Sequence, residues 1–519
     1  TVEGNKLFRT IAEEIASLVK KYNGSLSGEH GDGRLRGEFI RKMVGNKNYE
    51  LFKTIKRTWD PENIFNPNKI VDTPPMDTML RYEPGQKVPE IKTVFRFNGQ
   101  NILQHAEQCN GTGECLKTQL SGGTMCPSFM ATRNEKDSTR GRANILREFL
   151  TNSQKLNRFD HKEIYEVMDL CLSCKGCKSE CPSNVDVAKL KAEFLQQYHD
   201  ANGIPFRSRM IANFNKSSRL GSIAPGIYNF MVTNPATSAL IKRILGFAVK
   251  RSMPTLHKTS LEKWYHKRAS TAPKSSRKVY LFCDEFTNFN DTEIGITAIL
   301  LLEKLGYEVI IPKHEESGRA WMSKGLLKAA KKIANRNVAA LSKIITAETP
   351  LIGIEPSAIL TFRDEYIDLA EDENFAAAKA LSKNVFLIDE FIAREIEKGN
   401  IDKSLFTKEK RLIKLHGHCQ QKALSSLAAS VKILSLPENY SVESIPSGCC
   451  GMAGSFGFEK EHYDLSMKIG ELVLLPAVRR QAEDVIIAAP GTSCRHQIKD
   501  GAQRKALNPV EVWYYALKQ

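Results

Sequence analysis

Cys171-Leu172-Ser173-Cys174-Lys175-Gly176-Cys177-Lys178-Ser179-Glu180-Cys181-Pro182 sets four cysteines at spacings of two, two and three residues and closes on a proline. In such a run three thiolates face one iron–sulfur cluster, and the fourth crosses to a neighbouring cluster. The stretch therefore predicts a compact helical unit built around two clusters. Upstream stands a looser counterpart, Cys109-x5-Cys115-x10-Cys126-Pro127, which ends in the same Cys-Pro step and has Thr112 where a middle cysteine is expected.

Under the crossing rule, Cys171, Cys174, Cys177 and Cys126 form a complete thiolate set for a 4Fe–4S cluster. Cys109, Cys115 and Cys181 form an incomplete set. The second cluster is then either 3Fe–4S, or a 4Fe–4S cluster whose last iron takes Thr112, water or another group. Losing a thiolate removes negative charge, which raises that cluster's reduction potential relative to its neighbour. The plain alternative is zinc, because thiolates at two-residue spacing also bind Zn²⁺ tetrahedrally. Zinc accounts for the paired thiols but not for two Cys-Pro motifs in succession.

With 519 residues, 41% of them apolar, the chain is long enough for several domains and does not need disulfides to fold. Twelve cysteines, no signal peptide and no apolar run of membrane-spanning length point to the reducing cytoplasm, where thiols act as ligands. The formal charge is +16, and residues 205–278 hold fifteen Lys or Arg against one acid, Glu262. Such a stretch suits peripheral docking on the inner, anionic face of a membrane. No nucleic-acid recognition motif accompanies the charge, so nucleic acid is not expected as a partner. The chain opens at Thr1, without methionine, inside a helical pattern over 7–21, which reads as an N-terminal truncation.

The expected organisation is multidomain, α and α/β. Residues 1–75 read as helix, glycine-rich loop (27–37), helix and a Pro/Asn-rich exit through Pro61, Asn66 and Pro67. A linker over 76–99 follows, introduced by Pro74 and Pro75 and carrying Pro84 and Pro89. Residues 100–204 hold seven cysteines among helical patterns such as 138–151 and 187–200, and predict an all-helical two-cluster unit. Residues 205–278 read as short basic amphipathic helices. From 279 to 519, strand-like runs at 279–282, 309–311, 351–354, 385–388, 412–415 and 485–488 alternate with helices, which predicts mainly parallel α/β layers. Pro312 and Pro356 are 44 residues apart, as are Pro446 and Pro490, and each second proline follows a strand-like run. The region thus reads as two duplicated modules, with Cys449, Cys450 and Cys494 opposite Glu315, Glu316 and Leu360.

Only the second module keeps a cysteine constellation: Cys419 after a strand, Cys449-Cys450-Gly451 in a glycine-rich loop, and Cys494 after Ala489-Pro490-Gly491. Loops at the carboxyl ends of parallel strands converge on one sheet edge, so these four thiols are expected to meet around a third cluster or Zn²⁺. His416, His418 and His496 beside them read as candidate ligands or proton donors, with a hydrogen-bonding neighbour of the site as the commoner role for a lone histidine. Cys283, without companions near the place corresponding to Cys419, reads as a buried thiol.

Together Cys419, Cys449-Cys450-Gly451 and Cys494 resemble the CCG domain found in heterodisulfide reductases, in succinate:quinone-type oxidoreductases and in the iron–sulfur component of glycerol-3-phosphate dehydrogenase. The resemblance covers residues 279–519 and departs from the full pattern at Thr492-Ser493-Cys494, where a Cys-x2-Cys pair would stand. At the other end, Ser27-Gly28-Glu29-His30-Gly31-Asp32-Gly33, with Trp59-Asp60-Pro61 and Asn66-Pro67-Asn68-Lys69, resembles the last segment of FAD-linked oxidases of the vanillyl-alcohol-oxidase type. That resemblance implies a metal ligand at the substrate carboxylate for Glu29, a catalytic or flavin-adjacent role for His30, and a cofactor-side contact for Asn66.

Oxidase ending, paired-cluster unit and CCG modules, in this order, resemble the long bacterial FAD- and Fe–S-containing D-2-hydroxyacid dehydrogenases acting on D-lactate or D-2-hydroxyglutarate. The resemblance implies FAD held mainly by an upstream domain or subunit, and export of electrons through the clusters to an acceptor such as a quinone. Two other readings stand beside it. One is a separate Fe–S carrier protein of a glycerol-3-phosphate dehydrogenase or heterodisulfide-reductase-like complex; the other is a zinc-stabilised binding module.

Overall fold

The computed structural model describes residues 2–80, 89–268 and 272–518. Two units divide the chain after residue 90, inside the expected linker; Thr1 and Pro84 lie outside the described residues. In the first unit, helices Val2–Lys21, Ile40–Val44 and Asn46–Trp59 gather round a small core of Ala16, Phe39 and Met76. Asp60 closes the third helix by accepting from the backbone N–H groups of Ile64 and Phe65 at 2.8 and 2.9 Å. Phe8, Ile11, Ile15 and Leu18, at helical spacing on the first helix, and Leu51, Ile55 and Trp59 on the third remain exposed.

In the second unit, residues 100–204 are all-helical, as expected. Each long helix starts where a side chain satisfies an orphan N–H group. Ser138 accepts from Gly141 at 2.9 Å to open Thr139–Asn152, and Asp186 accepts from Lys189 at 3.1 Å to open Val187–Asn202. Asn101 and Gln104 form a reciprocal capping box at the head of Ile102–Glu107. The basic stretch forms short helices, among them Phe206–Ala212, Phe214–Gly221, Pro225–Thr233 and Pro235–Leu245, with Pro225 and Pro235 in the first turn, where a missing N–H costs nothing. Among the described residues no helix is long and apolar enough to cross a membrane.

Two parallel sheets follow. β1 (Lys278–Leu281), β2 (Glu308–Ile310), β3 (Leu351–Gly353) and β4 (Val385–Leu387) order as β2-β1-β3-β4, and β5 (Arg411–Leu415), β6 (Tyr440–Ser444) and β7 (Ile486–Ala488) order as β6-β5-β7. The triples β2-β1-β3 and β6-β5-β7 repeat one arrangement, which bears out the duplication; among the described residues β4 has no counterpart in the second sheet. Strand β6 escapes the sequence pattern because it lies at an edge, where only alternate side chains are half-buried and no apolar run is required. In the repeat register Glu285, not Cys283, stands at the place of Cys419. Cys283 is a buried thiol two residues earlier, held well above the usual range by burial.

Ion pairs tie the helical block to the first module. The buried Lys175 ammonium meets Asp186 and Glu365 at 3.1 Å and also Asp364, Lys178 reaches Asp364, and Lys189 reaches Asp368. Burial alone would pull the Lys175 ammonium down; its carboxylate partners hold it well above its ordinary range. Removing one partner from a buried network leaves charge uncompensated. Asp364→Ala is expected to destabilise the protein by roughly 3 kcal/mol, measured as a lower thermal midpoint and an earlier urea transition.

Candidate metal centres

Cys171 lies just beyond helix Lys162–Asp169, and the chain from there to Cys177 turns through two left-handed residues, Ser173 (φ 51°) and Lys175 (φ 61°). Left-handed non-glycine backbone is costly and gathers at functional loops. Here it winds the chain so that Cys171, Cys174 and Cys177 line one cavity. Cys126, at the head of helix Pro127–Thr132, lines the same cavity, so the fold brings together the complete thiolate set expected from spacing. Backbone N–H groups point at the sulfurs: Ser173 at Cys171 (3.4 Å) and Val187 at Cys177 (3.3 Å). Such donors favour the thiolate and tune a bound cluster. Burial drives the Cys174 and Cys177 thiols well above their ordinary range, with Cys419 the next cause for Cys174 and Asp186 for Cys177.

The second set is less complete. Cys109 and Cys115 are buried, and Cys115 accepts from the Arg140 N–H at 3.2 Å. Burial raises the Cys115 thiol, and Cys126 and Cys109 raise it further. Cys181 is half-buried at the end of helix Gly176–Glu180, against the same apolar core as Cys109 and Cys115. Thr112 is exposed, its hydroxyl donating to Asn110 Oδ1 at 3.0 Å.

The C-terminal thiols meet at the carboxyl ends of three parallel strands. Cys419 opens helix Cys419–Leu424 after β5, Cys449 and Cys450 follow β6, and Cys494 lies in the first turn of Thr492–Ala502 after β7. Hydrogen bonding with Cys449 lowers the Cys419 thiol to about 6, and hydrogen bonding with its thiol neighbours Cys449 and Cys494 holds Cys450 well below its usual range. Two glycines make room. Gly451 has φ 91° and a Cβ there would strike the Ser466 carbonyl, while a Cβ on Gly491 would strike His418 and approach Cys494 Sγ at 3.4 Å. Lys422 Nζ fixes the cysteine loop by donating to the carbonyls of Ser447 and Gly448, both at 2.7 Å.

His416 belongs to this site more closely than its sequence position suggested. Its Nδ1 shares a hydrogen with Ser447 Oγ at 2.7 Å, while Nε2 is buried without a partner. Ligand atoms of His416, Cys450 and Cys494 lie within 4.8 Å of one another. An orphaned buried imidazole nitrogen facing thiols fits a metal or cluster, and Ser447 orients the ring as outer ligands do. The signal in sequence was His416-Gly417-His418-Cys419 at a strand end, which left the histidines indistinguishable. His418 caps the helix from Cys419 at 3.2 Å, and His496 lies 2.8 Å from Ser252 Oγ.

The two thiol sites adjoin. Leu172 and Cys174 share an apolar cluster with Cys449, Phe456 and Ile469, with Cys419 packed against it, and Gln420 donates to the Ser173 carbonyl at 3.4 Å. In the first module the places of Cys419 and Cys450 are held by Glu285 and Glu316. Burial, and for Glu316 also Glu285, raises both carboxyls, Glu316 to about 7. In the first unit, Glu29 and His30 stand in the glycine-rich loop, their side chains 86% and 84% exposed and 3.7 Å apart, and Asn66 is exposed in the left-handed region.

Residues 108–186, which span all seven cysteines of the helical block, match the 4Fe-4S dicluster domain. The chain carries a dicluster domain. Residues 3–70 match the C-terminal domain of FAD linked oxidases. Over 99% of its length the chain is 28% identical to D-2-hydroxyglutarate dehydrogenase of Escherichia coli, covering 53% of that protein. It is also 26% identical over 95% of its length to D-2-hydroxyglutarate dehydrogenase of Pantoea ananatis, covering 51% of it, and 21% identical over 86% to the glycolate oxidase iron–sulfur subunit of Escherichia coli, covering all of that chain. The chain thus spans about half the length of the D-2-hydroxyglutarate dehydrogenases it matches.

Because Cys174 lies between the dicluster cavity and the C-terminal thiols, Cys174→Ala is expected to lower both iron and acid-labile sulfide per chain in anaerobically purified protein. Cys283→Ala, a buried thiol away from both sites, is expected to leave both contents unchanged.

Proposed function

We propose that this chain is the electron-exporting part of an FAD-dependent D-2-hydroxyacid dehydrogenase. The observation that carries the reading is one continuous thiol array: the cavity of Cys126, Cys171, Cys174 and Cys177 adjoining Cys419 and Cys449, in a chain that also holds an FAD-linked-oxidase ending. When bound, FAD would take two electrons from the substrate's C–H bond and the clusters would pass them on singly. The four cavity thiolates would hold a 4Fe–4S cluster; Cys109, Cys115 and Cys181, with Thr112 in place of a fourth thiol, would hold a 3Fe–4S cluster. The four C-terminal thiols with His416 Nε2 would hold a third cluster, or four of these five donors, His416, Cys450 and Cys494 among them, would hold Zn²⁺. Around the cavity, packed Leu172, Val187 and Met125 exclude water, and the backbone donors at Cys171 and Cys177 offset thiolate charge.

The first unit supports a flavin-domain partner. Its uncovered stripes of Phe8, Ile11, Ile15 and Leu18, and of Leu51, Ile55 and Trp59, are apolar faces of the kind that mark an interaction surface. Against that surface Glu29 would ligate a metal at the substrate carboxylate, His30 would act beside flavin and substrate, and Asn66 would contact the cofactor. The resemblance to a separate iron–sulfur subunit of glycolate oxidase favours a second reading, a carrier serving a distinct flavoprotein. The discriminating experiment supplies the FAD domain. Oxidation of D-2-hydroxyglutarate or D-lactate with reduction of the clusters is expected, and failure with every D-2-hydroxy acid, clusters intact, would sink the dehydrogenase reading. In the active protein His30→Ala is expected to lower kcat by about 10²–10⁴-fold.

Two further outcomes follow from the cluster and acceptor assignments. Oxidised protein is expected to give the EPR signal of a 3Fe–4S cluster, and Thr112→Cys to abolish it while adding iron. On the acceptor side, Phe206, Leu220, Ile223, Ile227, Phe230, Leu240 and Ile244 are 58% to 77% exposed in the basic stretch 205–278, of whose cations Lys242 and Arg251 are buried and Arg207 and Arg268 paired with carboxylates; the rest leave a combination suited to an anionic bilayer and a quinone within it. Co-sedimentation with phosphatidylserine vesicles is expected to exceed that with neutral vesicles and to fall with salt. The pair Ile227→Asp and Ile244→Asp is expected to weaken it at least roughly tenfold.

A further inference from the structure

Arg142 and Lys191 are buried cations beside the dicluster cavity, 1% and 8% exposed. Arg142 lines the cavity itself. Its Nε donates to the Val167 carbonyl at 2.9 Å and its Nη1 to the Asp137 carbonyl at 2.5 Å and Ser128 Oγ at 3.0 Å, with Cys126 Sγ at 3.6 Å. Its Nη2 is buried with no partner. Lys191 Nζ donates to the carbonyls of Asp169 and Cys171 at 3.0 and 2.7 Å. Among the described residues neither cation has a carboxylate within ion-pair distance: Asp137 offers Arg142 its backbone oxygen, and the Asp169 carboxylate is engaged by His462 at 2.6 Å.

Lys175, between two of the cavity cysteines, shows the contrast. It is equally buried, and Asp186, Asp364 and Glu365 surround it. Proteins bury a cation only against compensating negative charge, and Arg142 and Lys191 also repel each other. Arg142 lines the four-thiolate cavity, and Lys191 holds the carbonyl of Cys171, whose thiol lines it and acts on the ammonium ahead of the more distant Asp169 carboxylate. A 4Fe–4S cluster held by four thiolates is a dianion in its oxidised state and gains another negative charge on reduction.

We propose that Arg142 and Lys191 are the built-in countercharge of the cluster held by Cys126, Cys171, Cys174 and Cys177, and that they hold its reduction potential up. The inference rests on the cluster reading of that cavity. Two cations balance the oxidised dianion, so no carboxylate is needed beside them. The added electron then enters a site whose field favours it. Both act as positioning residues, through charge and not as ligands.

The test is an anaerobic redox titration of the full-length protein followed by EPR, with iron and sulfide counted for each variant. Iron content judges the cluster reading separately: wild-type protein without iron would overturn that reading, and this inference with it. With iron present, R142L and K191M are each expected to move the midpoint of the 4Fe–4S cluster to lower potential, and the double variant further than either, while R142K and K191R stay close to wild type. Full iron with an unmoved or raised midpoint in both R142L and K191M overturns the proposal. Should a variant lose its cluster, the thermal midpoint of chelator-treated, cluster-free protein decides. Stability at or above that of cluster-free wild type supports a charge whose only partner is the cluster, and lower stability assigns the side chain to packing and overturns the proposal for it.

Discussion

Everything in the larger unit answers to one constraint, that four cysteines from two distant stretches converge on one largely apolar cavity. Thiolate charge in an apolar interior is unfavourable unless donors and cations offset it. The helical block supplies these locally: N–H groups of Ser173 and Val187 on sulfur, and Arg142 and Lys191 on the helices that wall the cavity. The left-handed turns at Ser173 and Lys175 are tolerated because the surrounding packing holds them. Lys175 is locked by carboxylates from its own block and from the first α/β module.

The α/β modules extend this arrangement. Parallel strands place their carboxyl ends along one edge, so a cysteine after each of β5, β6 and β7 suffices to assemble a thiol site with no motif of its own. The first module keeps the architecture but carries Glu285 and Glu316 at two of those places, and it meets the helical block through Asp364, Glu365 and Asp368. One copy has become a docking element and the other a thiol site, on a shared scaffold. The second site lies against Cys174, and two of its thiols, Cys419 and Cys450, have depressed proton affinity.

Much of this was legible in the chain. Cys171 to Pro182 announced a two-cluster helical domain, and its pairing with Cys126 followed from the crossing rule. Alternating apolar runs announced the α/β half, and paired prolines its duplication. Strand β6 was not legible, because an edge strand exposed on one side needs no apolar run. His416 could not be told from His418, because one turn of backbone decides which imidazole caps a helix and which faces Cys450 and Cys494.

By itself the sequence determined that Cys171, Cys174 and Cys177 can share a centre, since ligand spacing is local geometry and two intervening residues dictate the reach of each sulfur. Only the tertiary structure decided how charge is balanced. That Lys175 is neutralised while Arg142 and Lys191 are not, and that Cys174 adjoins Cys419 and Cys449, depends on groups brought together from stretches up to hundreds of residues apart. Electrostatic energy follows distance in space and exclusion of water, neither of which is written in the order of residues along a chain.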